Sequence, residues 1–568
     1  MRNKILKLAF RFSAFAFAVG MTGCDALDLA PIDTYGSGNF WTRKEHVIAY
    51  MDGIHKNFRD QIFQQQYVLG EARGGTSVPD VAVDGTSVSY QGIVNQALNA
   101  ESPGITNFGN IYGCIANINI MLQKTLEADY MTEEEKAYYL GQAYGLRAFY
   151  YFGLYRTYGT LPLRLDPNPV VNGDFNPNNL YMKRSAGSEV MKQIKADLKS
   201  SLDYFGNNNS FDPNNRKNLK GYWSKAATEY LAAEVYLWNA KVSVDDNTAN
   251  NADLSVAKNH LQSLMNNYDL SLQSNYEDIF SVNNKGNNEV IFAVRYMEGE
   301  ASNPFTALMY NYQTGAFKTV GFNDENGKPM GDTLKVSTTG MQRIEYLPEF
   351  YLSYDKTDSR RDATFLGAYS RKDNSLAGTV YKKIMGHFDE SINRYIWDAD
   401  VIVYRLAGVY LMMAEIANME GGDVASYINK IRERAYGKNW DATKYGYTNG
   451  NFTENELAIL HEKDKEMLGE GQRWYDLKRM TLTKGGKHLV FCPEGSKDGQ
   501  LPNCNLRAAL FAFLPTEKPQ KRGESGVHFQ IYTLLYVYAQ KTAENLSSQR
   551  TFFKNDLVNF TVLYYTII

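Results

Sequence analysis

Between Thr132 and Pro162 the chain carries an apolar series that suits one kind of backbone. Ala137, Leu140, Tyr144, Ala148, Tyr151, Tyr155 and Tyr158 recur at intervals of three and four, which lines side chains along one face of an α-helix. Thr132 and Glu135 stand ahead of it with capping-box spacing, and Gly159 with Pro162 closes it. A long helix of this kind must bury its stripe against other helices, and the chain supplies them. Ala226, Tyr230, Ala233, Leu237 and Ala240 predict a second helix, and Leu406, Val409, Met413 and Ile416 a third that stops at Gly421-Gly422. Asp423 is placed to cap a partner helix bearing Ile428 and Ile431. Thr453 and Glu456 predict another capping box, opening a helix with Leu457, Leu460 and Met467.

Paired helices of this length resemble tetratricopeptide units, although no strict period survives. The fold expected is mainly α, a scaffold of helix pairs with loop-rich insertions and minor β-structure. Residues 71–110 and 297–345 are dense in Gly, Ser, Asn and Asp and predict long loops. Loops of that length in an ordered domain usually carry function. The run Glu289 to Val294 predicts a short strand.

The N-terminus reads as an export signal. Arg2, Lys4, Lys7 and Arg11 precede an uncharged apolar run from Phe12 to Met21, too short to span a bilayer. It ends in Met21-Thr22-Gly23-Cys24, small residues before a cysteine, so lipoprotein processing is expected to cleave before Cys24 and leave it acylated. Residues 1–23 are then a signal peptide and 24–38 a lipidated tether. Several acyl chains anchor stably where one would be marginal. A formal charge of -3 over 568 residues offers no field for nucleic acid. Cys114, Cys492 and Cys504 show no zinc-ligand spacing. Cys114, beside Ile115 and Ile118, predicts a buried apolar thiol, while Cys492 and Cys504 flank a loop and are either paired or free.

The motifs along the body resemble one family in order. Gly141-Gln142-Ala143-Tyr144-Gly145-Leu146-Arg147-Ala148-Phe149-Tyr150-Tyr151-Phe152, continuing to Tyr158-Gly159-Thr160-Leu161-Pro162-Leu163, is followed by Arg184-Ser185 with Glu189-Val190, by Ala232 to Leu237, by Asn288 to Phe292 and by Asp358 to Asp362. Tyr404-Arg405-Leu406-Ala407 with Met413-Ala414-Glu415, Asn429 to Ala435, and Glu470 to Arg479 complete the series. It resembles the SusD/RagB family from Cys24 to about Pro515. The resemblance implies four tetratricopeptide-like helix pairs beside an irregular ligand face. It also implies a cell-surface lipoprotein of the outer membrane that sits as a lid over a SusC-like TonB-dependent transporter and delivers a captured glycan to it. On this reading 39–280 and 281–517 are the N- and C-terminal parts.

The residues have roles of their own. Arg147, Arg405 and Arg473 lie in apolar helical stretches, where a guanidinium must be satisfied by carboxylates or carbonyls. Glu415, Glu470 and Asp476 are the expected partners, in buried ion pairs that fix packing. Phe149, Tyr151, Phe152 and Tyr155, and the tryptophans Trp41, Trp238 and Trp474, are expected in the core. A glycan site needs aromatic planes for pyranose C–H faces and convergent donors and acceptors for hydroxyls. Arg73, Asp80, Asp84, Tyr90 and Gln91 in the first loop region, with Tyr310, Tyr312, Phe317 and Phe322 in the second, meet that description; Trp397 and Trp440 are further platforms. The resemblance implies ligand contact from these two regions but no shared contact motif.

Other functions fare less well. No GxSxG, HExxH, P-loop or strand-borne GxGxxG occurs, so no catalysis and no cofactor are expected. A glycoside hydrolase would need two carboxylates across a cleft, and with 63 acidic residues some pair can always be nominated. A peptide ligand, as RagB-like members imply, stays open beside a glycan, which 41 tyrosines favour; a protein-interaction scaffold is the least specific reading. Asp245, Asp246, Asn247 and Asp253 lack EF-hand spacing and predict a solvated loop. The tail 518–568 departs from the family ending, with uncharged runs at 531–538 and 560–568. It is either a reading-frame change or a divergent strand pair, and no site residue is placed in it.

Overall fold

The periodic segments become helices that pack in sequence order. In the computed structural model the described residues are 40–485, apart from 79–90, 95–100, 102–103, 106–107, 168–180, 212–218, 305–320, 336–344 and 482–483. The chain divides into Met1–Pro502 and Asn503–Ile568, the second of which lies outside the described residues.

Helix α1 (Lys44–Ile62) runs on into a π-helical segment, Phe63–Glu71, and a 3-10 turn before strand β1 (Ser77–Val78). Then come α2 (Gln91–Val94), α3 (Gly109–Glu127), α4 (Glu133–Tyr158), α5 (Gly187–Phe205), α6 (Lys225–Lys241) and α7 (Asp253–Asn266). An insertion follows, with β2 (Val290–Val294), β3 (Glu345–Tyr346), α8 (Pro348–Leu352), α9 (Ser359–Thr364), β4 (Phe365–Tyr369), β5 (Leu376–Tyr381), β6 (His387–Asp389), β7 (Arg394–Ile396) and β8 (Val401–Arg405). The chain returns to helices in α10 (Leu406–Glu420), α11 (Ala425–Tyr436), α12 (Ala442–Tyr445), α13 (Phe452–Glu466) and α14 (Arg473–Arg479). Among the described residues α1 packs against α3, α4 against α5, α6 against α7 and α10 against α11. The described strands pair as two-stranded antiparallel ribbons, β1–β3, β2–β8, β4–β5 and β6–β7. No helix among the described residues is long and apolar enough to cross a membrane.

Helix α4 carries the capping box read from the sequence, with Thr132 accepting from the Glu135 N–H and Glu135 accepting from the Thr132 N–H. It is more deeply placed than one stripe requires. From Tyr139 to Arg156 all but Tyr144 are buried, because α3, α5 and α6 pack around it. Gly141 and Gly145 make that possible: a Cβ on Gly145 would stand 2.1 Å from Trp223 Nε1, and one on Gly141 3.0 Å from the Phe205 ring. The aromatic stripe is core, with Phe149 tilted against Phe58 at 5.0 Å and Phe152 edge-on to Trp238 at 6.1 Å. Cys114 is a free, buried thiol.

Two local expectations shift. The capping box of α13 uses Asn451 and Glu454, not Thr453 and Glu456. Glu456 is instead buried and takes the Lys241 ammonium at 3.0 Å, a partner 215 residues away that no local pattern announces. The acidic loop after α6 is also employed. Asp246 accepts from the Ser188 N–H and hydroxyl and Asp245 from the Gly187 N–H, satisfying the start of α5. Asp253 pairs with Lys195 at 2.6 Å.

Candidate functional site

Arg405 has no exposed surface and donates to Glu289 (2.8 Å), Glu466 (2.7 Å) and Glu470 (2.8 Å). Arg434 bridges the same Glu289 and Glu466, and Arg360 binds Asp358, Glu462 and Glu466. Glu466 is thus a hub for three guanidiniums. Burial alone would raise its pKa, but Arg434, Arg405 and Arg360 hold it far below the usual carboxylate range. The same balance leaves Glu462 at about 2. Of the expected partners Glu470 does meet Arg405. Glu415 and Asp476 take Arg479 and Lys463 instead, Arg479 lying one turn from Asp476 on α14. Arg147 pairs with Asp197 through two bonds and Arg473 with Asp464. Carboxylates fixed as anions by two or three guanidiniums are poor proton donors, and these groups lock elements together.

On this frame stands the feature that brings the two long loop regions together. Strand β1 pairs with β3 in the register Ser77↔Tyr346 and Val78↔Glu345, and Leu347 N–H donates to Thr76 O at 2.9 Å. The first loop region therefore departs from the ribbon where the second arrives. Beneath lies the π-helical segment, whose Glu71 is fully buried and accepts from Gly471 N–H at 3.2 Å. Burial lifts its carboxyl to about 7, against the bonds from Gly469 and Gly471 and the charge of Arg473. Gly70 allows the approach, since a Cβ there would lie 1.9 Å from Gly471 O. Arg473 also donates to Gly74 O. Ile105 is pinned in turn by Tyr158, whose hydroxyl donates to its carbonyl at 2.8 Å. The second region leaves beside Asn303, which donates from its backbone to Trp397 O (2.8 Å) and from its side chain to Ala399 O (2.9 Å).

Arg73 lies at this root with its guanidinium 4.5 Å over the Trp474 ring, and burial lowers its pKa. Phe322 is half-buried where the second region rejoins the fold, its carbonyl accepting from Met330 N–H. Gln91 opens α2. Asp80, Asp84, Tyr90, Tyr310, Tyr312 and Phe317 lie outside the described residues, as do Cys24, Cys492 and Cys504. Trp238 and Trp474 are buried and Trp41 half-buried against Tyr50. The Trp397 ring lies 4.5 Å from that of Tyr395, tilted by 33°, and Trp440 lies 6.3 Å from Tyr436. Sequence reasoning missed Glu71, whose only local signal is a carboxylate within an apolar stretch.

Two family profiles match this chain. The SusD family matches residues 288–545, reaching into the tail set apart at 518, and a family described as starch-binding associating with outer membrane matches 52–237. A SusD superfamily protein of Bacteroides fragilis is similar, with 46% identity, 84% of this chain and 96% of that chain covered and a TM-score of 0.75. NanU of the same species is 31% identical over 79% of this chain and 92% of its own, with a TM-score of 0.69. The fold is also shared with surface glycan-binding protein A of Bacteroides thetaiotaomicron, solved in complex with laminarihexaose, at 18% identity, 77% and 90% coverage and a TM-score of 0.57.

Proposed function

The chain belongs to the SusD superfamily, and from that premise we propose that it captures a glycan at the outer-membrane surface and breaks no bond in it. The loop regions 71–110 and 297–345 grip the sugar, Cys24 carries the lipid anchor, and a SusC-like TonB-dependent transporter receives the ligand. One observation supports this reading: the β1–β3 ribbon pairs Val78, in the first nominated region, with Glu345, at the end of the second. The match to a family described as starch-binding and the laminarihexaose complex of a protein with this fold support a carbohydrate ligand. Rings and polar groups on neighbouring loops suit modest affinity and release, and a tethered binder raises ligand concentration over the transporter mouth.

Native affinity gels containing laminarin, amylopectin or xyloglucan test it, using protein that starts after Cys24. At least one polysaccharide should retard the protein without release of reducing ends. Tyr310→Ala or Tyr312→Ala should each weaken retention by about 1–3 kcal/mol with the melting temperature unchanged. No retardation by any glycan, with capture of peptides instead, would replace the sugar by a peptide. Absence of labelled fatty acid on Cys24 in cells would remove the anchor.

A further inference from the structure

Strands β6 and β7 form a hairpin paired His387↔Ile396, Phe388↔Tyr395 and Asp389↔Arg394. Phe388 and Tyr395 are cross-strand partners on one face, and Trp397, two residues beyond Tyr395, continues it. Ring centroids are separated by 6.3 Å and then 4.5 Å, and each ring is half-buried. The hairpin thus presents part of three aromatic rings at its surface.

The groups around the row have both signs. Arg394 pairs with Glu298 at 3.1 Å and His387 Nδ1 lies 3.0 Å from Asp398. The Lys335 ammonium sits 4.5 Å over the Phe388 ring and pairs with Glu390. Lys335 and Glu390 are 48% and 74% exposed, and so open a pair holds weakly, so the ammonium swings off the ring at little cost. The core of a protein–protein contact is depleted in charge, whereas a pyranose wants a ring for its C–H face and donors and acceptors for its hydroxyls. The hairpin also borders the root of the second loop region through the bonds from Asn303 to Trp397 O and Ala399 O.

We infer that Phe388, Tyr395 and Trp397 form a carbohydrate-contact surface outside the nominated loops, which takes a further pyranose of a chain already held by them. This rests on the glycan reading above. It makes affinity depend on ligand length, because a sugar too short to span both surfaces gains nothing from the hairpin.

Calorimetric titration with laminarihexaose, maltohexaose, laminaribiose and maltose tests it on the wild type and on Phe388→Ala, Trp397→Ala and Trp397→Phe, with melting temperature as the check on folding. For the hexasaccharide that binds, each alanine variant should lose about tenfold in affinity. The matching disaccharide should be bound as by the wild type, and Trp397→Phe should keep most of the affinity. Unchanged hexasaccharide affinity in both alanine variants overturns the hairpin surface and leaves the glycan reading standing. A wild type that binds no hexasaccharide, and no polysaccharide on gels, overturns both. Loss of transporter co-purification with sugar affinity intact makes the hairpin a protein contact and overturns the inference. Where an alanine variant fails to fold, Trp397→Phe decides: its sugar-induced fluorescence change must be smaller than that of the wild type, and an equal change overturns the assignment.

Discussion

Arg405 shows how a cation is tolerated at zero exposure. Its donors meet three carboxylates and the Glu466 carbonyl, so little bonding capacity lost with water goes unreplaced. Arg405→Met should cost about 3–5 kcal/mol in urea unfolding, because Glu289, Glu466 and Glu470 stay buried with fewer counter-charges. Glu71 is the opposite case, a buried carboxyl moved from 4.5 to about 7. A raised folded-state pKa gives stability that is present below pH 4.5 and lost as pH rises to 7, on the order of 3 kcal/mol. Glu71→Gln should therefore lose less stability than the wild type between pH 5 and pH 8, and an equal loss would refute this. Glu462, lowered to about 2, acts on the acid side: its contribution is present above pH 4.5 and disappears as pH falls towards 2.

At the scale of elements, caps and close contacts decide where helices begin and how near they lie. The start of α13 rests on Asn451, so Asn451→Ala should cost about 1 kcal/mol. The midpoint in urea against that of the wild type tests the assignment directly. Gly145 lets Trp223 lie against α4, and Gly145→Ala should cost about 1–3 kcal/mol through overpacking. The expected single stripe on α4 understated its burial. A repeat of large apolar residues reports one face, whereas Gly141, Gly145 and Gly153 supply a second by being small.

In the molecule as a whole, helix pairs form the frame and the insertion between α7 and α10 brings β3 to β1. Arg473 fastens that junction by holding Gly74 O and Asp464. Arg473→Ala should speed hydrogen exchange of the Leu347 amide, which bonds Thr76 O, well before global unfolding. Unaltered exchange there would mean that the ribbon holds without the clamp.

Sequence by itself determined the helices, since periodicity and caps act within a few residues: α4, α6 and α10 stand where their apolar spacing puts them. It also determined that Arg147 and Arg405 are buried with acceptors around them, because an apolar stretch leaves a guanidinium only carboxylates and carbonyls to bond. Only the tertiary structure decided which carboxylates. Glu289 and Arg434 are 145 residues apart, and Glu71 meets Gly471 across 400. Within the two regions read as loops, β1 and β3 are two residues each, too short to leave a pattern. Their meeting is fixed by the packing of everything between them, which no local signal encodes.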